Sequence, residues 1–346
     1  MRVSLQDWAV EALDRMDEQA RDYVAEPAMD GRTLADNEAA FARRRVRPHV
    51  LAGDADPDTS RTVLGRNWVH PVFVAPTARH GLLHADGEVA TARGARRADA
   101  TMTVSTSSSR PLGDVASAAG PWWFQLYLPR EHRHREPLVA AAVEAGAEAL
   151  VLTADLATRG RREAALRRGR TGFPTAAAAV NLAALTGLEV DQVDEVGHVG
   201  PVGPDDVAWL AGYGLPVVVK GILRGDDARR AVDAGAAAVQ VSNHGGRQLD
   251  GAIASLDALE DVVAAVGAEV PVLLDGGIRR GVDVLVALAL GATAVGVGRP
   301  VLWGLAVDGA DGVAAVLDLL VDELDHVMRL AGVPDLSGIG RDLVVP

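Results

Sequence analysis

The 346-residue chain contains no cysteine, which excludes disulfides, thiolate metal sites and a cysteine nucleophile together. Lysine is almost absent as well: of the 34 basic residues all but Lys220 are arginine. A cation needed merely for solubility is arginine in this chain, so Lys220, closing the apolar run Val217-Val218-Val219, marks a place where a guanidinium would not serve. Tyrosine is confined to Tyr23, Tyr127 and Tyr213. No apolar run approaches the roughly 20 residues needed to span a bilayer, and the start, Met1-Arg2-Val3-Ser4-Leu5, lacks a signal-peptide core, so a cytoplasmic location is expected. Positive charge is in deficit. A net charge of −13 argues against nucleic acid or an anionic membrane as partner, because both are bound by cationic faces.

What is present is led by the stretch Ser242-Asn243-His244-Gly245-Gly246-Arg247-Gln248-Leu249-Asp250-Gly251, which follows the apolar run Ala236 to Val241. A buried strand that ends abruptly in polar and glycine residues has the form of an active-site strand end. If the run stays extended, Ser242 and His244 share a face, and the paired glycines permit a tight turn toward Arg247. Histidine is suited to taking a proton near neutral pH and arginine to gripping a carboxylate with two hydrogen bonds. Proton abstraction from a bound organic acid is the chemistry this pairing serves.

Around that stretch runs a repeated pattern of short apolar run, polar or glycine-rich break, and longer helical segment. The runs are Pro71–Thr77, Thr101–Ser107, Trp122–Leu128, Ala149–Asp155, Pro216–Ile222, Ala237–Asn243, Pro271–Gly277 and Ala294–Pro300. They alternate with helical stretches such as Glu88–Asp99, Glu131–Ala145, Asp226–Ala234, Leu256–Val266 and Val282–Leu290. Eight such units predict a closed (β/α)8 TIM barrel, and no G-x-G-x-x-G follows the first strand as a doubly wound dinucleotide fold would want. Ahead of it, residues 1–65 read as an N-terminal helical segment, with helices over Leu5–Val24 and Thr33–Arg45; the barrel takes 66–346, and no linker separates a second domain. The fourth connection, from Gly160 to Pro204, is extended and opens with six arginines from Arg159 to Arg170. Val313–Leu330 predicts a closing amphipathic helix.

In such barrels chemistry lies at the C-terminal strand ends. The residues found there are Pro76-Thr77-Ala78, Ser105, Gln125 with Tyr127, Thr153 with Asp155, Lys220, Ser242 with His244 and Arg247, Asp275-Gly276-Gly277-Ile278-Arg279, and Gly298-Arg299. The last two groups combine glycines with Arg279 and Arg299 where barrels commonly hold phosphate. Ser105, Gln125 and Thr153 suit the edge of a heterocycle, Lys220 suits a flavin ring that becomes anionic on reduction, and Asp155 suits the orientation of His244.

With these motifs in order over Tyr23 to Leu330, the sequence resembles the FMN-dependent 2-hydroxy-acid oxidase and dehydrogenase family, to which S-N-H-G-G-R-Q-L-D-G is highly specific. The resemblance implies an FMN-binding barrel that oxidises an L-2-hydroxy acid to the 2-oxo acid, without a metal, as a homo-oligomer (tetramer or octamer). It implies His244 as base with Asp155 as partner, Arg247, Tyr23 and Arg162 around the substrate carboxylate, Tyr127 at the substrate oxygen, and Lys220 at the flavin N1–O2 edge. Pro76, Thr77, Ala78, Ser105, Gln125, Thr153 and Ser242 correspond to flavin contacts, and Asp275, Gly277, Arg279, Gly298 and Arg299 to the ribityl-phosphate site.

Departures from the family pattern bear on substrate and acceptor. Ser107 stands where an aromatic residue is common, Arg159 where an apolar substrate-facing residue is usual, and Arg79-His80 directly follow Ala78. These three predict a larger or more anionic substrate than glycolate or lactate, with Arg159 among the groups that bind it; Pro27, in place of the glycine usual after the tyrosine, bears on the placement of Tyr23. Ala78 favours O2 as acceptor, giving hydrogen peroxide. A soluble dehydrogenase or monooxygenase using the same half-reaction, an isomerase or reductase on a related FMN barrel, and a non-catalytic flavin binder are the alternatives.

Overall fold

The computed structural model describes residues 1–52, 56–167, 177–187 and 201–346. Its eight parallel strands are β1 (Val72–Thr77), β2 (Met102–Ser105), β3 (Trp122–Leu126), β4 (Leu150–Thr153), β5 (Val217–Ile222), β6 (Ala238–Val241), β7 (Val272–Asp275) and β8 (Ala294–Val297). They pair in sequence, and β8 returns to β1 with Val295 opposite Val72, which closes the barrel. The expected (β/α)8 fold is therefore present, with additional N-terminal helices. Strands end up to three residues before the apolar runs do, because polar side chains at the barrel mouth leave the ladder to form loops.

Alternation along the strands sorts the interior by height. Outward-facing Val74, Phe124, Leu152, Val219, Val241, Leu274 and Val297 pack into the large core under the helices. Inward-facing Phe73, Trp123, Val151, Val218, Ala238, Leu273 and Ala294 fill the bottom of the barrel. A short hairpin, Arg61–Val63 with Arg66–Trp68, plugs that end; its turn uses Leu64 and Gly65 at φ 48° and 78°. Trp68 sits 5.9 Å from Phe73 and 5.5 Å from Trp123, ring centre to ring centre, contacts that contribute about 1 kcal/mol each beyond the area they bury. This hairpin straddles the expected boundary at residue 65, its first strand in the segment read as helical and its second in the barrel part. Two residues further along the same inward face come Gln125, Thr153, Lys220, Gln240 and Asp275, so the barrel is apolar at the bottom and polar toward its mouth.

Several helix boundaries differ from expectation for identifiable reasons. The N-terminal helix is two, α1 (Leu5–Arg15) and α2 (Glu18–Ala25), because the Asp17 side chain accepts from the Ala20 N–H at 2.8 Å and starts a new helix. The next, α3 (Arg32–Ala42), stops short of the arginine run; Arg43 and Arg44 both reach Asp257, and Arg45 pairs in a two-residue bridge with Val345. The helix after β3 begins at Arg135, following a 3-10 turn. The closing helix runs from Arg299 to Ala331, broken at Asp308 and Gly309. Helices at Leu112–Ala118 and Pro204–Ala211 were not signalled by periodicity. Of the fourth connection, Glu163–Arg167 and Val180–Thr186 are helical; Arg168 and Arg170 of its arginine run lie outside the described residues.

Candidate active site

The polar end of the barrel opens into a cavity of about 650 Å³. Its floor is a buried network: Lys220 Nζ donates to Ser242 Oγ at 2.8 Å and lies 3.5 Å from Asp275 Oδ2, Ser242 Oγ donates to Asp275 Oδ1 at 2.7 Å, and Gln240 Nε2 donates to the other carboxylate oxygen at 2.5 Å. The only lysine is thus held by a carboxylate and a hydroxyl, with Lys220 and Asp275 on the cavity wall. Asp275, expected at the phosphate end, belongs to this network. Alongside, Ser105 Oγ donates to Gln125 Oε1 at 3.0 Å and Gln125 Nε2 donates to Thr153 Oγ1 at 2.8 Å. Ser105 reaches the wall, whereas Gln125, Thr153 and Ser242 are sealed beneath it.

Strand β6 stops at Val241, and the extended arrangement expected for Ser242 and His244 does not occur. Asn243 exchanges amide hydrogen bonds with Asn37 of α3 at 2.9 and 2.7 Å, and its Oδ1 also accepts from the Gly246 N–H at 3.2 Å. That turn puts His244 in the left-handed region, φ 61°, which a non-glycine residue occupies only when its surroundings impose it. Ser242 consequently points into the barrel, while the His244 ring swings toward β4, where Nδ1 lies 2.9 Å from Asp155 Oδ1. With Nδ1–H committed to the carboxylate, Nε2 is the basic nitrogen; Tyr127 Oη approaches it at 3.4 Å. Burial opposes a charge on Asp155, but His244 and then Lys220 outweigh it and hold the carboxyl below its ordinary range. Burial, reinforced by Tyr23 and Asp155, pushes the Tyr127 phenol up, so its hydroxyl keeps its proton.

Beside this pair the wall turns cationic. The Arg247 guanidinium donates to the Glu26 carbonyl at 2.8 Å and lies 5.3 Å over the Tyr23 ring. Burial, then repulsion from Arg162 and Arg299, pushes Arg247 down to about 9. Arg162 reaches the same wall, with its Nε buried and unpaired among the described residues. Toward the β7 and β8 loops, Arg299 donates to the carbonyls of Val24 and Gly245 at 3.0 Å each and is pushed down to about 10 by burial and by Arg279. Arg279 donates to Glu38 at 2.8 Å and covers the Trp303 ring at 5.1 Å. These guanidiniums fall into two pairs, Arg247 with Arg162 and Arg299 with Arg279, each pair repelling within a cavity that anions would relieve. Gly277, expected to serve the phosphate, has a second reason to be glycine: a Cβ there would stand 2.2 Å from the Asn37 carbonyl oxygen.

Most expected site residues converge here: Tyr23, Pro76, Thr77, Ala78, Ser105, Tyr127, Arg162, Lys220, His244, Arg247, Asp275, Gly277, Arg279, Gly298 and Arg299 all line the cavity. Arg159 lines it too and is exposed, and the small, half-buried Ser107 is also on the wall. Of Arg79 and His80, only Arg79 lines the cavity; His80 does not reach it. Arg79 donates to the Ala177 carbonyl at 2.8 Å, and His80 is fully buried among Thr77, Thr91 and Glu88. Sequence reasoning missed Asn37, Glu26 and Gln248. Gln248 Nε2 donates to the carbonyls of Asp155 and Thr158 at 3.0 and 2.9 Å, and its Oε1 accepts from the Gly160 N–H at 3.0 Å. Asp250 accepts from the Thr33 N–H at 2.9 Å and the Asp30 N–H at 3.1 Å. The second half of the ten-residue motif thus organises neighbouring loops.

A closed barrel whose mouth joins a carboxylate-held histidine to paired arginines defines an enzyme that handles small organic anions. The chain belongs to the FMN-dependent dehydrogenase family, which it matches over residues 12–346. It is 43% identical to an L-lactate oxidase of Nostoc sp. over 352 residues, covering 97% of this chain and 96% of the relative. It is likewise 43% identical to a 4-hydroxymandelate oxidase of Amycolatopsis orientalis over 349 residues, covering 98% and 97%. Among solved structures, a mandelate oxidase with (S)-2-phenylpropionate superposes with a TM-score of 0.91 at 41% identity, covering 99% of this chain and 98% of that one. A lactate oxidase of Pediococcus acidilactici gives 0.93 at 38%, covering 100% and 95%.

Proposed function

We propose that this protein binds FMN, oxidises an L-2-hydroxy acid to the 2-oxo acid, and passes the two electrons to O2 with release of hydrogen peroxide. The observation that carries the reading is His244, held 2.9 Å from Asp155 and lining the same cavity as Arg247 and Arg162. The cavity fits the cofactor: Lys220, Thr77, Ala78 and Ser105 would face the ring, with Gln125 and Thr153 supporting that side from beneath, and Arg279, Arg299 and Gly298 would hold the phosphate. FMN supplies a two-electron acceptor that the amino acids lack.

The side chains supply the rest. Arg247 and Arg162 bind and orient the substrate carboxylate, and Tyr23, under the Arg247 guanidinium, keeps that group in place. Tyr127 Oη, protonated because it is buried, donates to the substrate hydroxyl oxygen. His244 Nε2 takes the proton that the substrate loses, and Asp155 stabilises the imidazolium that results. Lys220 offsets negative charge at the floor. Ala78 on the wall and the oxidases among the relatives support O2 as the acceptor.

An anaerobic absorbance titration of the purified holoprotein with short, aromatic and dicarboxylic L-2-hydroxy acids tests this directly. Bleaching by one acid class, followed by rapid recolouring in air with stoichiometric peroxide, is the expected result. A yellow protein that no hydroxy acid bleaches would sink the reading, and slow recolouring would move the acceptor from O2 to another oxidant.

A further inference from the structure

The loop after β1 carries a histidine that the chemistry above does not use. His80 is fully buried in a 3-10 turn entered through Arg79 at φ 61°. Its Nδ1 lies 2.8 Å from Thr91 Oγ1 on the helix Gly87–Arg97, and its Nε2 lies 2.8 Å from Thr77 Oγ1. Its backbone N–H donates to Glu88 Oε1 at 3.0 Å. Glu88, also fully buried, accepts from the Ser109 N–H at 2.9 Å and the Ser109 hydroxyl at 2.6 Å, and Ser109 Oγ accepts from the Gly81 N–H at 2.8 Å. The imidazole is thereby clamped between the loops after β1 and β2. Of Thr77, His80, Glu88, Thr91 and Ser109, Thr77 alone reaches the cavity wall.

Burial pushes His80 down, with the Glu88 carboxylate acting against it, and a neutral imidazole has one donor and one acceptor nitrogen. In the tautomer with the N–H on Nε2, the ring donates to Thr77 Oγ1. Nδ1 then accepts from the Thr91 hydroxyl. With a lone pair of Thr77 Oγ1 engaged from inside the protein, the hydroxyl hydrogen is directed outward.

We propose that His80 is a positioning residue that holds the Thr77 hydroxyl as a fixed hydrogen-bond donor into the cavity, toward an acceptor atom of the flavin ring. The inference rests on the FMN reading above. A dipole fixed before reaction favours the more electron-rich reduced cofactor without reorganisation, so the network raises the reduction potential of the bound flavin.

The test is the midpoint potential of the FMN-loaded protein, measured anaerobically by dye equilibration, with the visible spectrum read in parallel. His80→Leu is expected to disfavour reduction about tenfold, equivalent to about 30 mV for a two-electron couple, at unchanged FMN stoichiometry. His80→Gln, whose amide can donate to Thr77, restores most of that shift. In a Thr77→Val background His80→Leu produces no further change. An equal shift in both backgrounds, or none with Thr77 present, overturns the proposal. If His80→Leu does not fold, Thr91→Val reads the same network from its outer end: a shift toward lower potential supports it and an unchanged potential refutes it. A wild-type protein that takes up no FMN overturns the functional reading itself, an outcome distinct from a flavoprotein insensitive to His80.

Discussion

His244 Nδ1 and Asp155 Oδ1 are 2.9 Å apart although their strands, β6 and β4, are separated by β5. The carboxylate leans across β5 because residue 221 is glycine at φ 104°; a Cβ there would stand 2.7 Å from the Asp155 Cβ and Cγ. Gly221→Ala should displace Asp155 by a fraction of an ångström to an ångström. A misplacement of that size costs about a hundredfold in rate. Steady-state kinetics on the FMN-loaded variant should show that loss in kcat with little change in KM, because Arg247 and Arg162, proposed to hold the carboxylate, lie elsewhere.

Removing the base itself tests the assignment of proton transfer. His244→Ala is expected to slow anaerobic flavin reduction by about a hundred- to ten-thousandfold, with FMN content and spectrum preserved. Stopped-flow absorbance separates this step from reoxidation, which should be much less affected. Normal reduction in the variant would remove His244 from the mechanism.

The same pair predicts a pH dependence of stability. Asp155 has its folded-state carboxyl held below the ordinary range. Its charge therefore contributes stability that is present above the unfolded value of about 3.9 and is lost as pH falls through the lower folded value. In denaturant titrations the stability gap between wild type and Asp155→Asn should narrow as pH falls below about 4. A gap that widened on acidification would reverse the sign of the argument.

The barrel, the residues at its mouth and their pairing were legible in the sequence because strand alternation and the ten-residue motif are local signals. The geometry of His244 was not. Its left-handed backbone depends on Asn37, 206 positions away from Asn243 in sequence, and no local pattern announces a partner at that separation. The hairpin at the barrel bottom escaped for another reason: Arg61–Val63 and Arg66–Trp68 are three-residue strands, too short to show a period. Arg79 and His80 read as surplus cations when only their order in the chain was known; the Thr77 and Thr91 hydroxyls and the Glu88 carboxylate around His80 withdraw it from the cavity, while Arg79 stays on the wall with its guanidinium on the Ala177 carbonyl.

Arg247, pushed down to about 9 by burial and its cationic neighbours, should be relieved by any small anion that fits the carboxylate site. Adding oxalate to the FMN-loaded protein at a hundred times its Kd should stabilise it by about 2.7 kcal/mol, read as a rise in Tm. Arg247→Met should abolish most of that rise. Arg247→Lys, which keeps the charge but loses the fork geometry, should raise KM for hydroxy acids by roughly ten- to a hundredfold.

Two residues on the cavity wall, Ser107 and Arg159, give the proposed substrate preference a direct test. The first is small and the second exposed, and Leu156, Leu166, Ala179 and Leu182 add apolar surface to the cavity wall. An aromatic or branched substituent on the hydroxy acid can lie on that surface, and a distal carboxylate can meet Arg159. Ser107→Trp should then reduce kcat/KM for an aromatic 2-hydroxy acid more than for lactate, by about tenfold or more if the ring loses its place. Arg159→Leu should lower the preference for dianionic over monoanionic acids by a smaller factor, since an exposed ion pair contributes only about 0.2–1 kcal/mol. Parallel kcat/KM measurements with lactate, an aryl hydroxy acid and a dicarboxylic hydroxy acid decide both points. An unchanged dianion preference in Arg159→Leu would remove Arg159 from substrate recognition while leaving the role of Ser107 to be judged on the aryl acid alone.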